Sequence, residues 1–319
     1  MLASVIDEPN TAVQFWDTRS GQLIRQFEWY TGPSSNIGFS LQNDTIAFGN
    51  SDHTVDLWST FSGKQTLSLK AHDAPVSGVA YSSSSSKLAS VSTDGTIYIW
   101  DLDTQQVIQQ VKTERYEINN ISFSPDGRSL AWSGIRLGES GTVQVIDTLN
   151  GQTLHTLEGE VIFAIAFSPD GSILAGADFT KKVIYLWDVA SGKLITTLTQ
   201  SDSITSIAFS PDGRILASGS WDSYIWLWDI ASKRLVKKIA GNTGQIEAVA
   251  FSPDGHFIAS STSFDSDVYI WDAKNGELRD VLRAHSGEIR QIVFSPDGKL
   301  LASKSFDGTV VVWSINESR

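Results

Sequence analysis

The sequence predicts an all-β protein, a β-propeller of seven four-stranded blades. The motif Phe-Ser-Pro-Asp-Gly recurs along the 319 residues, and successive copies, two of them diverged, lie 42 to 44 residues apart. Most copies are followed at a near-constant distance by Trp and then Asp or Ser. A repeat of roughly 40–45 residues with four short strands is typical of propeller blades, which stack because none can bury its faces alone. The copies begin at Phe39, Tyr81, Phe123, Phe167, Phe209, Phe251 and Phe294.

The blade that follows Ser203 shows why each element forms. Its first strand alternates apolar and small residues, and Pro211-Asp212-Gly213 then forms a tight turn, because Pro fixes φ and Gly permits a positive φ. The third strand is apolar on both faces, which indicates that neighbouring blades cover both. The outer strand is amphipathic, and its lysines discourage other chains from pairing with the sheet edge. The four predicted strands are 204–210, 215–218, 224–229 and 234–239.

The strands predicted near the two ends of the chain do not add up to complete blades of four strands. We expect residues 1–319 to form one propeller in which the segment 22–27 is the outer strand that closes the last blade. Such a closure would pair the two ends of the chain and remove a sheet edge. Residues 1–17 then hold two surplus strands, a partial extra repeat without an innermost strand. The alternative is an eight-bladed propeller that is incomplete at its termini.

Composition limits the classes of function. The apolar fraction of 41% and the 11 Trp are ample for a packed interior, whereas the net charge of −12 argues against a nucleic-acid-binding surface. The absence of cysteine excludes disulfides and cysteine-ligated metal sites. We see no run that is apolar and long enough to span a bilayer, and no signal peptide. We therefore expect a cytoplasmic protein without a membrane partner.

The repeat spacing, the Pro-Asp-Gly turn and the Trp-Asp pair together resemble the WD-repeat (WD40) family of β-propellers, over essentially the whole chain. The resemblance implies a non-catalytic interaction scaffold, a monomeric propeller that presents its so-called top face to a protein or peptide and needs no cofactor or metal. The alternative is a propeller enzyme or small-ligand binder that uses the mouth of the central channel. Among the residues expected at that mouth only Glu247 is acidic, so the paired carboxylates of an acid–base catalyst are not apparent.

Two blades contain Ser, His and Asp in a pattern that invites a catalytic interpretation. The resemblance implies a structural brace instead, in which Trp donates to Ser, Ser bonds His, and His bonds the Asp of the next turn. Two copies at identical offsets favour the brace, because a catalytic triad is needed once. In two further blades Gln200 and Asn242 replace the His. The two complete sets are His72, Ser90, Asp94 and Trp100, and His285, Ser303, Asp307 and Trp313.

Candidate partner-binding residues follow from the same resemblance. The residue before the turn Asp commonly faces the top rim, and here it is aromatic in three consecutive blades, at Trp221, Phe264 and Phe306. Exposed aromatics are favoured interface anchors, although these rings could also fill gaps between loops. Insertions at 134–141 and 177–182 are either drift in tolerant loops or a partner-specific feature. The residues expected to ring the channel mouth are Ser35, Ser77, Asn119, Phe163, Thr205, Glu247 and Arg290.

Overall fold

The computed structural model describes residues 2–6, 12–16, 23–28, 37–42, 44–113, 117–135 and 141–315. The regular secondary structure of these residues is entirely β. None of the described segments is a helix long and apolar enough to cross a membrane. The first three strands, β1–β3 (Leu2–Ile6, Ala12–Trp16 and Leu23–Glu28), form an antiparallel sheet of their own.

The remaining strands form the blades, which are antiparallel sheets whose strand order follows the chain. The first blade is β4–β7 (Ile37–Phe39, Thr45–Gly49, Thr54–Ser59, Gln65–Lys70), the second β8–β11 (Val76–Tyr81, Lys87–Ser92, Thr96–Asp101, Gln106–Lys112) and the third β12–β15 (Glu117–Phe123, Ser129–Ile135, Thr142–Asp147, Thr153–Glu158). The fourth is β16–β19 (Ile162–Phe167, Ile173–Asp178, Val183–Asp188, Leu194–Thr199) and the fifth β20–β23 (Ile204–Phe209, Ile215–Ser220, Ile225–Asp229, Arg234–Ile239). The sixth is β24–β27 (Ile246–Phe251, Phe257–Thr262, Asp267–Asp272, Leu278–Arg283), and the seventh holds β28–β30 (Ile289–Phe294, Leu300–Ser305, Val310–Ser314).

The ring closes on seven blades, which confirms the predicted fold. The innermost strand of each blade lies next to the innermost strand of the following blade, and β28 lies next to β4. An eight-bladed ring would need an eighth innermost strand, and the described part of the chain contains seven.

The N-terminal strands differ from the expected closure. The two surplus strands expected within residues 1–17 are β1 and β2, but the segment expected at 22–27 to close the last blade pairs with β2 rather than with β30. Its register, with Trp16 opposite Leu23 after an irregularity, repeats the pairing of Trp187 with Leu194 in the fourth blade. A hairpin between neighbouring strands closes a far shorter loop than a pairing with β30 would, so it loses less entropy.

One hydrophobic cluster fills each interface between neighbouring blades. The cluster between the fourth and fifth blades, for example, combines Ala175 and Leu186 with Leu216 and Trp226. The interface that closes the ring joins residues from the two ends of the blade array, and its buried members are Ile37, Phe39, Ile46, Phe48, Ala302, Val310 and Val312. Each blade of the ring is therefore covered on both faces, as its apolar strands predict.

The recurring Ser-Pro-Asp-Gly turn joins the first two strands of a blade and contacts the preceding blade. In the fifth blade the Ser210 hydroxyl donates to Asp212 Oδ1 at 2.6 Å and accepts the N–H of Ile215 at 2.9 Å. Gly213 has a φ of +71°, and a Cβ built there would lie 3.5 Å from Pro169 of the fourth blade. The motif thus recurs because it makes both a turn and a contact between blades.

Gln291 should be important for ring closure. Its side chain accepts the N–H of Ile37 at 2.6 Å and donates to the carbonyl of Ile37 at 3.2 Å, which joins the seventh blade to the first. We predict that Gln291→Leu lowers the free energy of unfolding by about 1–3 kcal/mol, because it removes both partners of a backbone unit. Urea denaturation measures this, with Gln106→Leu on the exposed outer strand of the second blade as the control. Equal stability of the two variants would contradict the prediction.

Candidate functional site

Two kinds of connection meet on one face of the disc, which we call the top face. They are the hairpins between the second and third strands of a blade and the links from one blade to the next. In five blades a described backbone hydrogen bond ties the hairpin to the link before it, for example from Trp221 to Ser203 at 3.0 Å and from Phe306 to Glu288 at 2.9 Å. The opposite face, the bottom face, carries the Ser-Pro-Asp-Gly turns, which bond the remaining hairpins, as between Ile230 and Arg214.

The seventh blade contains the full hydrogen-bonded brace. Trp313 Nε1 donates to the Ser303 hydroxyl at 2.9 Å, and that hydroxyl lies 2.8 Å from His285 Nε2. The other ring nitrogen, Nδ1, lies 3.0 Å from Asp307 Oδ2 and 3.0 Å from the hydroxyl of Thr309. The brace therefore links the core of the blade to the top-face hairpin and to the link before it.

The environment of the brace holds Asp307 ionised and buries the Ser. Burial alone would raise the pKa of Asp307, but the hydrogen bond and charge of His285, together with donors from Thr309 and Ser286, lower it to about 2. Ser303 is wholly buried, as is Ser90 in the second blade. Neither hydroxyl can reach a substrate in this conformation.

The second blade forms only part of the same brace. Trp100 Nε1 donates to the Ser90 hydroxyl at 2.8 Å, and the hydroxyl lies 2.7 Å from His72 Nε2. The expected bond from His72 to Asp94 is not made, and His72 Nδ1 has no hydrogen-bond partner. Burial lowers the pKa of His72 to about 4, which keeps the ring neutral.

The links that carry His72 and His285 differ in sequence near the brace. A Cβ built on Gly287 would lie 2.8 Å from the backbone nitrogen of Asp307, so the link approaches the turn closely only because it carries Gly. The residue at the same offset from His72 is Ala74. The link of the second blade still bonds its hairpin, from Thr93 to Pro75 at 2.9 Å, so the two blades differ at the contact between His and Asp.

Two other blades keep the Ser-centred bonds with an amide in place of His. Gln200 Nε2 donates to the Ser218 hydroxyl at 2.6 Å in the fifth blade. In the sixth blade the Ser260 hydroxyl donates to Asn242 Oδ1 at 2.9 Å and accepts from Trp271 at 2.8 Å. In these two blades the amide thus makes the bond to Ser that His makes in the complete brace.

The central channel contains a cavity of about 910 Å³, and aromatic rings line part of its top mouth. The ring of Phe163 lies 5.1 Å from that of Phe179, which in turn lies 4.7 Å from Trp221 at nearly a right angle. We call these three rings the aromatic wall. Phe163 is 42% exposed and Trp221 is 38% exposed, so the wall faces solvent while its rings support one another.

The aromatic wall differs from the set of top-rim aromatics expected from the sequence, which was Trp221, Phe264 and Phe306. Phe179 and Trp221 make the same backbone hydrogen bond to the preceding link, as does Phe306, but in the sixth blade Ser263 makes it instead of Phe264. One extra residue in the hairpin of the sixth blade displaces Phe264, which is 80% exposed and does not line the cavity. Phe179 was missed because no Asp follows it; Thr180 stands at that position.

Charged residues form another part of the channel mouth. Arg290 donates to Glu247 Oε2 at 2.6 Å, pairs with Glu288 at 3.2 Å, and lies 4.6 Å above the ring of Phe306. Burial raises the pKa of Glu247 to about 7; Arg290 opposes the rise and Glu288 adds to it. Lys304 also lines the cavity, and its burial lowers its pKa to about 7. Sequence reasoning missed Glu288 and Lys304 because neither stands at the offset assigned to the mouth.

Other residues expected at the mouth bond between blades. Asn119 donates its amide to the carbonyl of Ile162 at 3.2 Å, and Thr205 donates its hydroxyl to the carbonyl of Ile246 at 2.6 Å. Both line the cavity, but these donors are already used to join one innermost strand to the next. Ser35 lies outside the described residues.

A comparison with known protein families supports this architecture. The family model for the WD40 repeat (WD domain, G-beta repeat) matches residues 63–101, 151–188, 192–229, 233–272 and 276–314, more than half of the chain. The chain belongs to the WD40 repeat family. None of the curated proteins matches it. Among the described residues, no group of three or more His, Asp or Glu could hold a metal ion.

The fourth WD40 blade, which keeps only the Trp of the brace, has another means of holding its top-face hairpin. In the fourth blade Gly176 replaces the brace Ser, and a Cβ there would lie 2.6 Å from the ring of Trp187. Asp178, wholly buried, accepts N–H bonds from Glu160, Thr180 and Lys181 at 2.9 to 3.1 Å. This carboxylate fixes the inserted hairpin that carries Phe179. Most of the other insertion, residues 136–140, lies outside the described residues.

The two WD40 braces should respond differently to the same substitution. We predict that Asp307→Asn lowers the free energy of unfolding at neutral pH by about 2 kcal/mol, from a pKa lowered by about two units, whereas Asp94→Asn has a smaller effect. Because the pKa of Asp307 is depressed in the folded state, its stabilising contribution is present above pH 3.8 and is lost as the pH falls towards 2. Urea denaturation at several pH values measures both. Equal losses in the two variants would refute the asymmetry.

Glu247 should make stability depend on pH in the opposite direction. Its pKa is raised in the folded state, so its contribution to folding is fully present below pH 4.5 and is lost as the pH rises through about 7. Glu247→Gln cannot ionise, so the stability of this variant relative to the wild type should rise by about 1–3 kcal/mol between about pH 5 and pH 8. Thermal and urea unfolding at these values test the prediction. A constant difference across the range would show that the burial of Glu247 has no such cost.

Proposed function

We propose that this WD40 propeller is a non-catalytic scaffold that binds a protein or peptide segment at the top mouth of its channel. The observation that carries the proposal is the aromatic wall, which is anchored on two blades and remains partly exposed beside a cavity of about 910 Å³. WD40 propellers are commonly protein-interaction scaffolds.

The aromatic wall has the properties of an interface anchor. Trp221 and Phe163 are large rings that contribute much contact area for little lost side-chain entropy, and such residues dominate the energetics of many interfaces. Phe179 packs between them and holds both in place. A partner side chain that enters the mouth would therefore meet rings that need little rearrangement.

Rigid hairpins support the proposed docking surface. The brace of the seventh blade holds the hairpin of Phe306, and buried Asp178 holds that of Phe179. Loops fixed on a rigid scaffold present binding residues without a large ordering cost. We infer that the partner adapts to the propeller rather than the reverse.

The alternative, a propeller enzyme or small-ligand binder, needs a chemically available group at the mouth. Glu247, with its raised pKa, is the strongest candidate, but its carboxylate accepts a 2.6 Å hydrogen bond from Arg290, which also pairs with Glu288. The Ser hydroxyls of both Ser-His-Asp sets are buried. These contacts favour the scaffold. Four properties stay predictions: the propeller is monomeric, it is cytoplasmic, it does not bind nucleic acid, and it does not bind membranes.

The proposal predicts a graded response of partner binding to top-face substitutions. A partner is first identified by proximity labelling with the intact propeller, and its binding to purified variants is then measured. Trp221→Ser and Phe163→Ser should each raise the Kd by about 30-fold, as loss of an interface anchor does. Phe264→Ser, outside the cavity, should raise it less.

Phe61→Ser is the matched control, because Phe61 is 67% exposed in a turn of the bottom face. This variant should bind the partner with unchanged affinity. Thermal denaturation confirms that each variant is folded before its affinity is compared. Undiminished binding by folded Trp221→Ser and Phe163→Ser would refute a docking site at the channel mouth.

A further inference from the structure

The two faces of the propeller differ in charge. In the described connections of the top face, nine carboxylates stand against two lysines, Lys181 and Lys182. The turns of the bottom face carry eight carboxylates and seven Lys or Arg, so they are nearly balanced. The top-face carboxylates are Asp52, Asp73, Asp94, Glu160, Asp202, Asp222, Asp265, Glu288 and Asp307. Within the turns and links counted, the excess of carboxylates over cations is therefore larger on the face that carries the aromatic wall.

The few cations of the top face are already paired. Lys181 lies 3.1 Å from Glu160 and Lys182 lies 3.1 Å from Asp202. Arg290, at the channel mouth, is shared between two carboxylates. Each of these three cations is thus paired within its own propeller.

Three carboxylates of the first two blades lack such partners. Asp52, Asp73 and Asp94 are exposed, and the ion pairs of the described residues include none of them. They stand in consecutive connections of the top face, so they concentrate negative charge on one sector of the rim. A charge pattern of this kind attracts an oppositely charged partner and repels an acidic one.

The order of blades places this acidic sector across the channel from the aromatic wall. The wall belongs to the fourth and fifth blades, whereas Asp52, Asp73 and Asp94 belong to the first and second. In a ring of seven, the point opposite the first blade lies between the fourth and the fifth. A segment that touched both sectors would cross the channel mouth.

We propose that the partner segment is an extended cationic peptide that crosses the channel mouth. One apolar side chain packs against Phe163 and Trp221, and Lys or Arg side chains lie at Asp52, Asp73 and Asp94. The inference rests on the proposed function, since it assigns the chemistry of the partner that docks at the same mouth. Charge complementarity selects a cationic segment over an acidic one, and the apolar anchor distinguishes it from a purely electrostatic ligand.

The experiment selects short random peptides displayed on phage against the full chain and removes those that also bind Trp221→Ser. The surviving peptides are synthesised, and their affinities are measured by fluorescence polarisation. We expect peptides with a net positive charge and an apolar residue, whose Kd weakens about ten-fold between about 50 and 300 mM NaCl. The double variant Asp52→Asn/Asp73→Asn should weaken it about three- to ten-fold.

Asp44→Asn/Asp103→Asn is the matched control, because it removes the same charge from turns of the bottom face. It should change the Kd less than about two-fold, since screening limits the reach of distant charges. Selected peptides that are neutral or acidic, or equal effects of the two double variants, would overturn the cationic partner while the docking site stands. Failure to recover any peptide that depends on Trp221 would overturn the docking site and this inference together.

Discussion

Every blade depends on its neighbours to cover its faces, so the ring is stable only when its last interface closes. A single sheet of this kind has apolar residues on both faces and cannot bury them alone. The structure meets this requirement with one hydrophobic cluster in each of the seven interfaces. The interface between the seventh and first blades is the costly one, because it joins segments about 254 residues apart and closes the longest loop. Both apolar packing and the amide of Gln291 are used there.

Because of the repeat, the fold could be predicted from the sequence. The turn, the strand pattern and the aromatic–Asp pair are local signals, and seven copies of a local signal at one spacing specify a blade count that a single copy could not. The pairing of the third N-terminal strand could not be predicted in this way. The strand expected to complete the last blade pairs with its neighbour in sequence, and two sheets compete for such a strand with nearly the same side-chain pattern.

The candidate site was only partly predictable, because counting offsets assumes that every hairpin has the same length. Phe264 precedes its turn Asp as Trp221 does, yet one extra residue in its hairpin moves it away from the cavity. Phe179 occupies the same place in its hairpin as Trp221. It was not recognised from the sequence because Thr180, and not Asp, follows it. The partial brace of His72 was not predictable either, since the four brace residues are the same in both blades and only the seventh blade forms the bond from His to Asp. Short-range steric differences of this kind are visible only once the chain is folded.

The loss of the brace and the presence of the aromatic wall coincide in the fourth blade. Gly176 stands where other blades carry the brace Ser, and the ring of Trp187 occupies the space that a side chain would need. Packing has therefore replaced a polar network in the interior of this blade, and the buried carboxylate of Asp178 has replaced it at the hairpin. Asp178 accepts backbone N–H groups of both the hairpin and the link, so it joins them as the contact between His285 and Asp307 does in the seventh blade. The fourth blade thus still fixes its top-face hairpin, and this hairpin places Phe179 between Phe163 and Trp221.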